Sequence, residues 1–200
     1  PQTTRVTSTD AHAEDIAIDW ETPAPVFDAV GTYTVKGTVT VDGEKHPVKA
    51  SVKVVKKNNL IKNGDFESEK TLDGWTIDGD KVLDVVTKGG DALGTSAMHY
   101  WSDKAFQFKV SQTFTGLKDG KYTLAVSTQG GGGQSKYQLF ATTGGATQTA
   151  DIQDTKWNEW HTFTIQDIEV KDGTCTVGVT MEAAPGTWGS LDNFEFYRQK

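Results

Sequence analysis

The sequence is short of the residues that staple or span. Its 200 residues hold one cysteine, Cys175, so no internal disulfide can form and a cysteine-based zinc site would need several more thiolates. No apolar run approaches the ~20 residues that cross a bilayer as a helix, so no membrane partner is expected. Basic side chains number 20 against 27 acidic ones, for a net charge of −7. A nucleic-acid partner needs a basic footprint, and this balance supplies none. Heptads and collagen-like repeats are missing. So are a Gly-x-Ser-x-Gly elbow, a Walker loop, a dinucleotide fingerprint and a His-Glu-x-x-His pair. The four histidines, His12, His46, His99 and His161, stand far apart without metal-ligand spacing. Carboxylates are plentiful enough for a glycosidase pair, yet none sits in an apolar context that would raise its pKa for acid catalysis. The chain opens at Pro1, without a start Met or signal peptide, and is read as a piece of a longer polypeptide.

What is present is a folding composition. Hydrophobic residues make up 36% and aromatics 10%, with 21 glycines and six tryptophans, whereas disordered chains are poor in aromatics. Residues 1–56 alternate apolar and polar positions through Ile16, Ile18 and Trp20, through Tyr33, Val35, Val39 and Val41, and through Val48, Ala50, Val52 and Val54. Period-two alternation predicts strands with one buried face. Asp42-Gly43 between two of these runs predicts a hairpin, and Pro23 and Pro25 predict a loop. Lys56-Lys57-Asn58-Asn59 is a polar bridge to the larger part. The division expected is 1–57 and 58–200.

In the larger part, strands are predicted at Asp80–Thr87, Ser96–Ser102, Phe106–Thr115, Tyr122–Gly130, Tyr137–Thr142, Trp160–Gln166, Thr174–Glu182 and Asn193–Arg198. Turns such as Lys118-Asp119-Gly120 and Lys171-Asp172-Gly173 separate them, and no convincing helix appears. The fold class expected is all-β, a small sandwich followed by a β-sandwich jelly roll. Cys175 shares a face with Val177, Val179 and Met181 and reads as a small core residue.

Three clusters could carry a function. His99-Tyr100-Trp101-Ser102 ends a strand, Gln129 through Gln134 encloses four glycines, and Ala184-Pro185-Gly186-Thr187-Trp188-Gly189-Ser190 is a loop with one large aromatic. The mixture suits sugar. Aromatic rings stack on the apolar C–H face of a pyranose, planar amides donate to and accept from hydroxyls, and glycines let backbone approach a ligand. The Met98/Tyr100 face is the more apolar, so Trp101 and His99 are expected to face outward. Gln129 shares the polar face with Ser127 and Ala125. Trp75 reads as a lid on the core, and Trp157 and Trp160 read as structural. The glycine run reads either as a ligand approach or as a hairpin alone. Asn63-Gly64-Asp65-Phe66-Glu67 and Leu191-Asp192-Asn193-Phe194 could face each other if the first and last strands are neighbours. Their carboxylates and turn carbonyls would suit a hard cation such as calcium.

Two resemblances follow from these residues. Ile18-Asp19-Trp20 and Gly31 through Val39, with the hairpin after them, resemble a bacterial Ig-like domain of secreted multidomain glycanases, where such domains act as spacers. Asn59 through Glu67, Gly74-Trp75 and Leu191-Asp192-Asn193-Phe194-Glu195-Phe196 resemble the frame of jelly-roll carbohydrate-binding modules. The three clusters most resemble the family 61 modules, which bind β-1,4-galactan and accompany endo-β-1,4-galactanases. The resemblance implies a structural calcium with side-chain oxygens from Glu67 and Asp192 and carbonyls near Gly64, Asp65 being a further candidate. It also implies a ligand site of Trp101, Trp188 and Gln129, with His99, Tyr100 and Gln134 beside them. The expectation is therefore a secreted, non-catalytic, monomeric binding fragment that targets a tethered glycoside hydrolase to galactan. The alternatives are a module for another plant polysaccharide, a structural or adhesive stalk, and a small glycosidase or lyase.

Overall fold

A computed structural model describes residues 3–7, 13–23, 27, 31–54, 58–68, 70–87 and 89–199. His12, Pro25, Lys56 and Lys57, singled out above, lie outside them. The chain divides into two compact units, Pro1–Lys57 and Asn58–Lys200, and both are built of antiparallel strands.

In the first unit, β1 (Thr3–Thr7) pairs with β2 (Ala13–Ala17), while β3 (Asp19–Trp20), β4 (Gly31–Val41) and β5 (Glu44–Val54) form a second sheet. The β4–β5 ladder is continuous from Gly31↔Val54 to Val41↔Glu44. It closes through Asp42 (φ 50°) and Gly43 (φ 84°). Both central residues are left-handed, as a two-residue turn matched to strand twist requires. Among the described residues of this unit, Val39 alone is a buried apolar side chain, a thin core for a piece of this size.

The second unit is a sandwich of two five-stranded sheets. Its strands are β6 (Thr76–Gly79), β7 (Leu83–Val86), β8 (Ala97–Trp101), β9 (Phe106–Phe114), β10 (Gly120–Gly131), β11 (Gln134–Thr143), β12 (Ala146–Asp151), β13 (Lys156–Val170), β14 (Cys175–Ala183) and β15 (Trp188–Arg198). One sheet runs β13-β10-β15-β8-β7 and the other β12-β11-β14-β9-β6. Side chains of alternating parity meet between them. Met98 and Tyr100 of β8, Leu124 and Val126 of β10, and Cys175, Val177, Val179 and Met181 of β14 are all buried there. Burial pushes the Cys175 thiol up to about 12, so at neutral pH it is an inert apolar filler.

The boundaries depart from expectation where the pattern is irregular. β6 and β12 are additional strands, β13 begins at Lys156, and β15 begins at Trp188 rather than Asn193. Trp188 is therefore on a strand and not in a loop. Alternation fails in β15 because Asn193 (φ 47°) interrupts it. The β10–β15 register shifts there, between Ser127↔Asp192 and Ala125↔Glu195, and this bulge lets Leu191 and Phe194 both turn inward.

The segment entering the unit closes against its last strand. Leu60 N donates to Phe196 O at 2.8 Å and Phe194 N to Gly64 O at 2.9 Å. The Asn59 side chain adds bonds to Phe194 O and from Phe196 N. Trp75 stands 4.5 Å from Phe194, centroid to centroid, and its indole N–H donates to Asn63 O at 3.2 Å. Phe66 packs edge-on to Phe194. Removing a ring from this trio leaves a cavity that rigid strands cannot close. Phe194→Ala is expected to cost about 3–5 kcal/mol of unfolding free energy, measured by chemical denaturation.

Candidate functional site

β8 and β15 are neighbours, and their register sets Trp101 directly opposite Trp188, with His99 opposite Ser190. Directly opposed residues share a sheet face and bring their Cβ atoms to about 4.5–5.5 Å. Tyr100 and Met98 point into the core, so Trp101 and His99 point out, as alternation demands. Trp101 is 55% exposed. The next strand, β10, brings Gly131 opposite Trp188. A Cβ on Gly131 would lie 3.6 Å from the Trp188 ring, so the indole lies beside bare backbone.

Beneath this floor is Tyr100, 0% exposed. Its hydroxyl would stand 2.3 Å from a Cβ on Gly189 and 2.9 Å from one on Gly130. Burial first, and then Tyr137 nearby, push its phenol well above the ordinary range. The expectation that Tyr100 touches a ligand is thus corrected. It is a core side chain whose tip fills the space under two glycines.

Gln129 is corrected likewise. It does lie on the outward face, but it is 1% exposed because the segment Gly89–Ser96 crosses over it. Its amide nitrogen donates to Gly90 O at 2.6 Å, and its amide oxygen accepts from Asn158 N. Each end of the amide is bonded within the protein, so Gln129 acts as a strut. His99 accepts a place beside Trp101 and pairs through Nδ1 with Asp84 at 2.9 Å. Gln134 belongs to the opposite sheet, where its amide donates to Asp154 at 2.5 Å.

Trp157 departs from its expected structural place. Read as structural, it is 59% exposed, and its indole N–H donates to Asp91 at 3.2 Å. The available signal is that Thr155 and Glu159, two positions either side, are both polar, because a core tryptophan on a strand has apolar residues two positions away. Trp160 is half-buried.

The cation candidates lie along the same crossing segment. Asp192 is 2% exposed and accepts from Leu93 N at 3.0 Å and from Asn193 N at 2.6 Å. Burial pushes its carboxyl up to about 6, the two amide donors oppose the shift, and the negative charges of Glu67 and Asp65 add to it. Glu67 accepts from Thr95 N at 2.6 Å, Ser96 N at 3.1 Å and the Thr95 hydroxyl. The hydroxyl and then the amide of Thr95 hold its carboxyl below the usual range. Asp65 is exposed, and the Gly64 carbonyl accepts from Phe194. The Ser96 hydroxyl is buried and has no hydrogen-bond partner. Among the described residues no three His, Cys, Asp or Glu side chains are grouped to hold an ion. The side chains expected to hold an ion, Glu67 and Asp192, offer carboxylate oxygens, the donor type that a hard cation takes.

No family model and no curated protein matches the chain. Solved structures do. TmCBM61, determined in complex with β-1,4-galactotriose, is 31% identical with a TM-score of 0.66, over 71% of this chain and 99% of that one. A structure concerning the promiscuous specificity of carbohydrate-binding modules of the β-sandwich superfamily is 16% identical with a TM-score of 0.59, over 98% of each chain. A family 16 carbohydrate-binding module is 18% identical with a TM-score of 0.50, over 70% of this chain and 100% of its own. The last two are likenesses of fold alone.

The glycines under the paired tryptophans should differ sharply in tolerance. Gly189→Ala would force a Cβ to within 2.3 Å of the Tyr100 hydroxyl, an overpacking expected to cost about 1–3 kcal/mol in chemical denaturation. Gly131→Ala meets only the ordinary 3.6 Å contact with Trp188 and should leave the denaturation midpoint nearly unchanged.

Proposed function

The chain belongs to family 61 of the carbohydrate-binding modules, and from that premise we propose that it binds β-1,4-galactan. The observation that carries this reading is the cross-strand pair Trp101 and Trp188, both on the outward face. Each ring offers a flat apolar surface to the C–H face of a galactose unit, and His99 with Asp84 supplies polar groups at its side. Galactose and glucose differ at one hydroxyl, so selectivity comes from a polar group that the wrong epimer leaves unpaired. Gln129 and Tyr100 serve the site from beneath, the one fixing the crossing segment and the other filling the floor. The share of TmCBM61's length that aligns, and its galactotriose complex, support the galactan assignment.

The proposed role is targeting. A binding module raises the effective concentration of a tethered catalytic domain at its polymer. In this reading the parent is a secreted β-1,4-galactanase, residues 1–57 are an Ig-like spacer, and the fragment is monomeric and has no catalytic role of its own. Calcium is proposed as a structural ion held by Glu67 and Asp192 with carbonyls near Gly64, while exposed Asp65 adds charge. When bound, such an ion would offset the carboxylates' repulsion and fix the backbone around them.

Two measurements test these statements. In native affinity electrophoresis against galactan, arabinan, xylan and mannan, galactan alone should retard the protein. Trp101→Ala should lower galactan affinity at least about tenfold, the scale of losing an aromatic anchor, with an unchanged melting curve. Retardation by another glycan would replace the ligand, and undiminished binding by folded Trp101→Ala would remove the platform. Separately, exhaustive chelation should lower the melting temperature and calcium should restore it. An ion at 100 times its dissociation constant stabilises by about 2.7 kcal/mol, and an unchanged curve would refute the site.

A further inference from the structure

Trp157 combines high exposure with tight restraint. Its indole leaves 59% of its surface to solvent, yet its N–H is held by Asp91 at 3.2 Å. One flank of the ring rests on Gly90, where a Cβ would come within 2.7 Å of Cζ2. Gln129 clamps both supports, taking the Gly90 carbonyl and the Asn158 amide. The flanking residues Lys156 (φ 88°) and Asn158 (φ 61°) hold a left-handed backbone that non-glycine residues rarely adopt. The β10–β13 register shifts at the same point, between Thr128 and Gly130. A surface tryptophan without a partner would need none of this restraint.

Its position supplies the partner. Lys156 is opposite Gly130 on β10, Gly131 is opposite Trp188 on β15, and Trp188 is opposite Trp101 on β8. The three tryptophans thus stand near one end of a single sheet, on strands spaced about 4.8 Å apart, so that the outer two are about 14 Å apart across it. The strand between Trp157 and Trp188 contributes Gly130 and Gly131 at this level, neither of which carries a side chain. With the indole N–H already used by Asp91, the exposed part of Trp157 is apolar ring.

The geometry points to Trp157 as a further saccharide-binding side chain, which receives a β-1,4-linked galactose chain that continues past the Trp101–Trp188 pair across the Gly130-Gly131 floor. The inference rests on the galactan reading and adds to it an occupant for a separate part of the surface. It requires that affinity depend on chain length in a way that Trp157 controls.

The test is isothermal titration of the whole 200-residue chain with β-1,4-galacto-oligosaccharides from the disaccharide to the hexasaccharide. Wild-type affinity should keep rising with length. Trp157→Ala should match wild type on the shortest binding oligosaccharide and fall about tenfold on the longest. Trp157→Phe should recover most of the loss. Gly90→Ala keeps the indole but crowds it from its seat, and should reproduce the length-dependent loss. The exposed ring makes an unchanged melting curve the control for folding. If Trp157→Ala binds every length as wild type does, or is weakened equally at every length, the inference is overturned while the galactan reading stands. If wild type binds no galacto-oligosaccharide, the galactan reading fails and this inference with it.

Discussion

The second unit depends on how one stretch of backbone, Gly89–Ser96, is fastened across the face of a sheet. Side-chain oxygens and an amide nitrogen take its polar groups at four points: Gln129 takes the Gly90 carbonyl, Asp192 the Leu93 amide, and Glu67 the amides of Thr95 and Ser96. The fastening groups are themselves costly to bury. An unpaired amide or carboxylate away from water loses its full hydration, and Gln129 and Asp192 are almost wholly covered. The segment and its anchors therefore stabilise each other or neither is stable. The crossing also decides what remains open. It covers the middle of the outer face and leaves the end that carries Trp101, Trp188 and Trp157.

That open end is shaped from below as much as from above. Tyr100 enters the core with Met98, Phe106 and Phe108 around it, and its hydroxyl reaches the backbone of β10 and β15. Any side chain at Gly130 or Gly189 would collide with it. A core aromatic thus dictates glycine at 130 and 189, while the outward-facing Gly131 keeps the floor low beside the Trp188 indole. The apolar interior and the outward face are two sides of one packing constraint, joined through a single backbone layer.

Alternation made much of this legible in the sequence. It set Met98 and Tyr100 inward and Trp101 and His99 outward, it gave Gln129 its outward parity, and it buried Cys175. Asp42-Gly43 announced its turn by conformation alone. What alternation could not convey is where a remote segment lies. Gln129 is outward and still buried because residues some forty positions earlier fold over it. Trp188 followed Pro185 and Gly186 and so resembled a loop residue, although the strand already starts there. Trp157 sat between two residues in left-handed conformation beside a bulge, where neither period two nor turn composition applies. The irregular places hid the side chains that matter most for the surface, since a regular strand would have sent each of them to a predictable face.

The carboxylates at the closing seam follow the same logic with the sign of charge added. Pairing Asn59 and Gly64 with Phe194 and Phe196 draws the beginning of the unit against its last strand. Glu67 and Asp65 come with the first, Asp192 with the second, and their mutual repulsion raises the Asp192 carboxyl beyond what burial alone does. The seam cannot relieve that repulsion by moving apart, because Trp75, Phe66 and Phe194 pack on its inner side. Nor can Asp192 turn to solvent without releasing Leu93. The charge is consequently locked to the crossing segment, and whatever neutralises it acts on the same backbone that, a few residues earlier, supports the Trp157 ring through Gly90 and Asp91. Stability at the seam and order at the open face are in this way parts of one connected arrangement.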